Sequence, residues 1–188
     1  MIQLEKFEKT DIGQLISWID SPAFLLQWAG SAFDFPLTEV QLESYVENAD
    51  REEADVFIYK VRDVETEKVI GHISLGRIDR KHRCARVGKV LLGDNDERGK
   101  GIGGKMIAEV LKVAFNELNM HRVSLGVFDF NTGAIACYEK AGFVKEGLLR
   151  DCRINGDEYW SMWEMSILKH EWLEKIQLNG SNDGNIID

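Results

Sequence analysis

The spacing of apolar residues changes repeatedly along the chain, and each change marks an element. Ile2, Leu4 and Phe7 predict a short first strand. Thr10 and Asp11 then offer a helix cap ahead of Ile12, Leu15, Ile16 and Ile19, which recur at helical spacing. Ser21 caps a second short helix with Pro22 at its first position, followed by Phe24, Leu25, Leu26 and Trp28. After a loop from Gly30 to Pro36, Thr38 caps a helix reaching about Asn48, with Leu42, Tyr45 and Val46 on its inner face. Strand patterning takes over from Val56 to Val61, turns between Asp63 and Lys68, and returns from Val69 to Leu75. Arg77 to Arg83 reads as a charged turn, and Ala85 to Leu92 as a further strand. Helical spacing resumes from Gly101 to Leu118, where Ile102, Met106, Val110, Val113, Ala114 and Phe115 form one apolar face. Arg122–Phe128 reads as a strand and Thr132–Ala141 as a helix. Phe143–Cys152 and Tyr159–Ile167 read as a closing hairpin around Asn155-Gly156.

This order predicts an α/β (α+β) chain, a mixed sheet with helices on both faces. No linker or repeat interrupts it, so residues 1–178 read as one domain, and the Gly-, Asn- and Asp-rich stretch 179–188 as a disordered tail. Hydrophobic residues at 44% and charged residues at 29% suit a globular chain with a substantial core. No apolar run is long enough to cross a bilayer, and the N-terminus has no signal-peptide pattern, so no membrane partner is expected. Cys84, Cys137 and Cys152 lack metal-ligand spacing and read as buried thiols in a reducing cytoplasm, with no metal. The net charge of −9 argues against nucleic acid as a partner and would steer a cation such as an amine inward.

The chemistry concentrates in Arg98-Gly99-Lys100-Gly101-Ile102-Gly103-Gly104-Lys105, at a strand-to-helix junction. Glycines let backbone N–H groups approach a phosphate, and the helix N-terminus adds partial positive charge. Gly99, Gly101 and Gly104 satisfy the dinucleotide fingerprint, but that pattern belongs early in a βαβ unit, and the nearest acid, Asp129, comes late. Gly99, Gly104 and Lys105 satisfy most of a P-loop, but Met106 stands where the Mg²⁺-holding hydroxyl is needed. Arg98-x-x-Gly101-x-Gly103 resembles the pyrophosphate loop of GNAT N-acetyltransferases. Asn131-Thr132-Gly133-Ala134 through Tyr138 to Gly142-Phe143 resembles that family's following N-x-x-A-x-x-x-Y-x-x-x-G-F segment. Around Gly71–Leu75 and from Gly147 to Tyr159 the likeness is greatest to the branch that includes ribosomal-protein N-terminal acetyltransferases.

The resemblance spans Ile2 to about Leu173. It implies a single-domain GNAT fold with a mixed, mostly antiparallel central sheet of about seven strands, splayed at the acetyl-CoA site. It assigns acetyl-CoA to Val90, Leu91, Leu92, Arg98, Gly99, Lys100, Gly101, Ile102, Gly103, Gly104, Asn131 and Tyr138, and leaves a homodimer open. It further implies direct attack of a primary amine in a ternary complex, the amine belonging to a protein N-terminus, a polyamine or another small molecule. Backbone N–H groups near Val90–Leu92 would polarise the thioester carbonyl, and Tyr138 would donate the proton to the departing sulfur.

The base is less defined. Many relatives carry Glu where this chain has Arg86, and arginine cannot accept a proton. His72, Asp79, Asp34 and Glu158 remain, with His72 favoured for its ordinary titration range, alongside water relayed through backbone carbonyls. Trp28, Phe33, Phe35, Tyr159 and Trp160 are expected to line the acceptor groove. The missing Glu also raises the alternative of a coenzyme-A-binding module with impaired catalysis.

Overall fold

The computed structural model describes residues 1–49, 53–93 and 99–182. Its elements in chain order are β1 (Ile2–Lys6), α1 (Ile12–Ser17), α2 (Pro22–Ala29), α3 (Glu39–Glu47), β2 (Phe57–Asp63), β3 (Val69–Asp79) and β4 (Cys84–Leu92). There follow α4 (Ile102–Lys112), β5 (Arg122–Phe128), α5 (Thr132–Ala141), β6 (Val144–Asn155), β7 (Glu158–Leu168) and α6 (Lys169–Asn182). The strands form one sheet in the order β1-β2-β3-β4-β5-β7-β6. Neighbours run antiparallel except β4 and β5, which are parallel. Fold class is therefore as expected: a mixed, mostly antiparallel seven-stranded sheet with helices on both faces.

Local chemistry accounts for the helix starts. Ser21 Oγ accepts from the Phe24 N–H at 3.3 Å and Thr38 Oγ1 from the Gln41 N–H at 3.4 Å, each satisfying a donor that the first turn leaves unpaired. On one sheet face α4 buries Ile102, Met106, Ile107, Val110 and Leu111 against Ile73, Leu75, Val87 and Val123. On the other, Leu15 of α1, Leu25 and Trp28 of α2 and Leu42 of α3 close over Ile58 and Leu91. Alternation along the strands divides the two cores: Leu91 faces opposite ways from its neighbours Val90 and Leu92.

Three elements differ from expectation. The helix expected from Gly101 to Leu118 begins at Ile102 and ends in a π-helical turn at Val113–Glu117, where Leu118 N–H reaches back to Val113 O at 3.0 Å. β3 runs on to Asp79 through the expected charged turn, because Ile78 is buried and its N–H bonds Asp55 O at 3.0 Å. A helix, α6, follows β7: Glu171 accepts from Leu168 N–H at 2.8 Å, and Trp172 packs against Phe115 with ring centroids 5.1 Å apart. Its backbone continues through Asn182, so the expected tail is helical at its start, and 183–188 lie outside the described residues. Among the described residues no helix is long and apolar enough to cross a membrane.

Candidate active site

β4 and β5 pair at Cys84–Arg122, Ala85–Val123 and Arg86–Ser124, and then part. Beyond Arg86 a cleft of about 540 Å³, partly open to solvent, lies between Val87–Leu91 of β4 and Leu125–Phe128 of β5. Phe24, Gln27 and Trp28 of α2 line one side; Tyr138 of α5 and Asn131 just before that helix line the other.

A bulge accompanies the divergence. His72 lies opposite Leu91 but Ser74 opposite Gly88, so β4 carries one more residue than β3 here. Lys89 takes a left-handed backbone with φ 49°, uncommon for a residue with a Cβ. Two side chains hold the bulge: His72 Nδ1–H donates to Lys89 O at 2.9 Å, and Ser74 Oγ–H donates to Gly88 O at 3.0 Å.

That arrangement corrects the expectation for His72 as base. Its side chain is 0% exposed and does not line the cleft; it sits among the rings of Phe7, Trp28 and Tyr45. Burial pushes its pKa down from 6.5 to about 4, so it is neutral at neutral pH, and its Nε2 has no protein partner among the described residues. The other named carboxylates are no closer to the task. Asp79 accepts from His82 N–H at 2.8 Å and pairs with its ring at the outer β3–β4 turn. Asp34 lies exposed in the α2–α3 loop, and Glu158 lines a separate opening.

Arg86 has its own partner. Its guanidinium binds both oxygens of Glu164 on β7, with Nη2 to Oε2 at 2.9 Å, and Ser124 Oγ at 3.3 Å. To reach Glu164 it passes over Gly126 of β5, where a Cβ would lie 2.6 Å from Nη2. Arg86 is also the last β4 residue paired with β5. The ion pair thus ties β4 to β7 where the β4–β5 ladder stops.

The glycine-rich turn opens α4. Gly99 (φ 81°) and Gly101 (φ 75°) take left-handed backbones, and Gly101 caps the helix without a side-chain hydrogen bond. Among the described residues the first-turn N–H groups are therefore left for another acceptor. A Cβ built at Gly99, Gly101 or Gly104 meets no described atom within 4 Å, while at Gly103 it would touch Cys137 Sγ at 3.6 Å. Open space beside N–H groups at a helix start fits a pyrophosphate. Ile102 is buried, so only its backbone faces that space. Lys100 is exposed at the turn, and Arg98 lies outside the described residues. Val90 and Leu91 line the cleft; Leu92 follows them and packs its side chain on the α4 core.

On α5, Asn131 is the N-cap: its Oδ1 accepts from Ala134 N–H at 3.2 Å, while the residue lines the cleft. Tyr138 is 8% exposed, and burial pushes its hydroxyl pKa above the usual tyrosine range. The hydroxyl stays protonated at neutral pH and can donate. No described group hydrogen-bonds it.

The expected groove aromatics divide into two groups and one outlier. Trp28 lines the cleft and stacks on Phe33 with centroids 5.9 Å apart. Tyr159 and Trp160 line an open pocket with Asp129, Phe130, Glu158 and Ser161, past the end of β5. Phe35 is exposed and lines neither. Lys89, Phe24, Gln27 and Phe128 also line the cleft, and Glu164 stands behind Arg86, none of them expected from the sequence. A break in alternation at Gly88-Lys89 was the available signal for the bulge; Glu164 carried none, because its partner is far away in the chain.

Residues 2–144 match the model of an acetyltransferase (GNAT) domain. The probable N-acetyltransferase YjcK of Bacillus subtilis is 35% identical over 136 residues, 71% of each chain. The spermidine N(1)-acetyltransferase of Vibrio cholerae is 33% identical over 110 residues, 58% of this chain and 62% of the relative. In fold, a crystal structure of the Vibrio cholerae spermidine N-acetyltransferase with CoA and spermine aligns with TM-score 0.79, 23% identity, 92% of this chain and 98% of that one. Acetyl-CoA is the co-substrate of this family, and the chain belongs to it: it is a GNAT N-acetyltransferase.

Proposed function

We propose that the protein transfers the acetyl group of acetyl-CoA to a primary amine by direct attack in a ternary complex, with no acyl-enzyme. The observation that carries the reading is the parting of β4 from β5 beside a glycine-lined helix start that no side chain caps among the described residues. The turn from Gly99 to Gly104, with Lys100 and Arg98, would hold the pyrophosphate. The backbone of Val90–Leu92 and Asn131 would hold the pantetheine arm. Backbone N–H groups of β4 freed from β5 would stabilise the developing oxyanion, which a preformed donor does best in a dry cleft. Tyr138 would give its proton to the departing sulfur. Arg86 being committed to Glu164, the ammonium would lose its proton through water and the carbonyls of the bulge.

The acceptor would enter on the side of Trp28 and Phe33. A polyamine is the leading class: a spermidine acetyltransferase is among the relatives, and a net charge of −9 favours a cation. Free cysteines and the lack of an apolar spanning helix among the described residues suit a cytoplasmic setting. A thiol-release assay with acetyl-CoA against spermidine, spermine, N-terminal peptides and aminoglycosides tests the reading. Release with spermidine or spermine is expected; release with peptides alone would move the acceptor to protein N-termini. No release with any amine would overturn the assignment.

A further inference from the structure

Lys89 is an amine carried by the strand that lines an amine acetyltransferase's own cleft. It lies on the bulged stretch of β4, one residue before Val90, and lines the opening between β4 and β5. Its Nζ stands 4.8 Å from the centroid of the Tyr45 ring and 5.7 Å from that of Phe33. Phe33 in turn stacks on Trp28, expected at the acceptor side. The chain's own ammonium thus occupies aromatic surface that would suit a substrate ammonium.

Its surroundings differ from those of several other lysines. Lys9, Lys60, Lys112 and Lys145 each pair with a carboxylate. No described carboxylate or carbonyl oxygen hydrogen-bonds Lys89 Nζ. Burial, and then the positive charge of Arg77, disfavour its ammonium form and lower its pKa. A larger share is free amine, the nucleophilic form, than for an exposed lysine. The left-handed backbone pinned by His72 and Ser74 fixes where the side chain starts.

We propose that Lys89 is an internal acetyl acceptor, modified at Nζ by acetyl-CoA bound in the same molecule. The inference rests on the cleft being the acetyl-CoA site. In the step, the Nζ lone pair attacks the thioester carbonyl carbon. The C–N bond forms, the C–S bond breaks with its electron pair going to sulfur, and the amine proton passes to sulfur. The products are Nε-acetyl-Lys89 and CoA thiol. The modification removes a positive charge from the aromatic side of the cleft and fills that space with a neutral amide.

The test is mass spectrometry of the folded protein after incubation with acetyl-CoA and no added amine, with peptide mapping. Expected is one acetyl group at Lys89, forming about tenfold or more faster than at exposed Lys81, since a thioester held beside Lys89 acts at high effective concentration. Its rate should not depend on protein concentration, and Lys89→Arg should abolish it. The same preparation is assayed with the amine panel above. An unmodified Lys89 in protein that acetylates an added amine overturns this proposal and leaves the proposed function standing. Failure of both overturns both. Acetyl groups spread over surface lysines, as in a urea-unfolded control, would mark plain chemical acylation and overturn the proposal. A rate rising with protein concentration would do so too, by placing the transfer between molecules.

Discussion

Tyr138 is the residue where a catalytic and a packing role are easiest to separate. Its ring is buried between α5 and the core, 6.1 Å from that of Phe143, so it contributes to packing in any case. Its hydroxyl, by contrast, has no hydrogen-bond partner among the described residues and belongs to a side chain lining the cleft. Tyr138→Phe removes that hydroxyl and keeps the ring. If the hydroxyl protonates the leaving sulfur, kcat should fall roughly ten- to a thousand-fold, the range for a general acid that water replaces in part. KM for acetyl-CoA should move little, because the interaction strengthens mainly in the transition state. Steady-state and single-turnover rates on a confirmed acceptor decide; unchanged rates in both would remove Tyr138 from the chemistry. Residue identity singled out this position through its spacing from Asn131 and Gly142, and the structure puts it on the cleft wall. The same kind of reading failed for His72, because a histidine's letter does not say that Lys89 O and three aromatic rings surround it.

Elements bounded by local signals were legible: Ser21 and Thr38 cap the helices they were expected to cap. What depended on pairing distant strands was not. The bulge in β4 exists only relative to β3, and Arg86 meets Glu164 only because β7 inserts between β5 and β6. α6 was hidden because its polar composition masks the single anchoring ring of Trp172. The start of α4 yields a prediction that separates helix stability from ligand binding. Gly104 lies in the first turn, and a Cβ there meets no described atom within 4 Å. Gly104→Ala should therefore stabilise the free protein by about 0.5–1 kcal/mol, the usual gain from replacing a helical glycine. The added methyl would occupy space a phosphate needs to reach the N–H groups, so CoA should bind about tenfold more weakly, a loss of roughly 1.4 kcal/mol. Thermal unfolding without ligand and calorimetry with CoA measure the two effects. A higher melting temperature with unchanged CoA affinity would detach this turn from the binding site.

The whole molecule joins two apolar cores through one sheet, and His72 is the polar side chain held where the second core meets the cleft bulge. Global stability should therefore carry its signature in pH. Unfolded, its imidazole takes up a proton near pH 6.5; folded, burial delays that to about 4. Between these values the unfolded chain binds more protons, so stability falls as pH falls. The contribution is complete above pH 6.5 and lost by about pH 4, a span on the order of 3 kcal/mol. Glu146 acts in a lower window: Arg122 holds its carboxyl down to about 2, so its contribution is lost below pH 4.5, after most of the histidine effect. Urea unfolding at pH 7 and pH 5 samples the histidine window alone. The wild-type midpoint should drop between the two. His72→Gln, which keeps an N–H donor for Lys89 O but cannot titrate, should start lower at pH 7 and change much less. A wild-type midpoint that does not move, or a variant that falls as steeply, would mean that His72 is not held neutral in the fold. The bulge would then depend on some other contact for its shape.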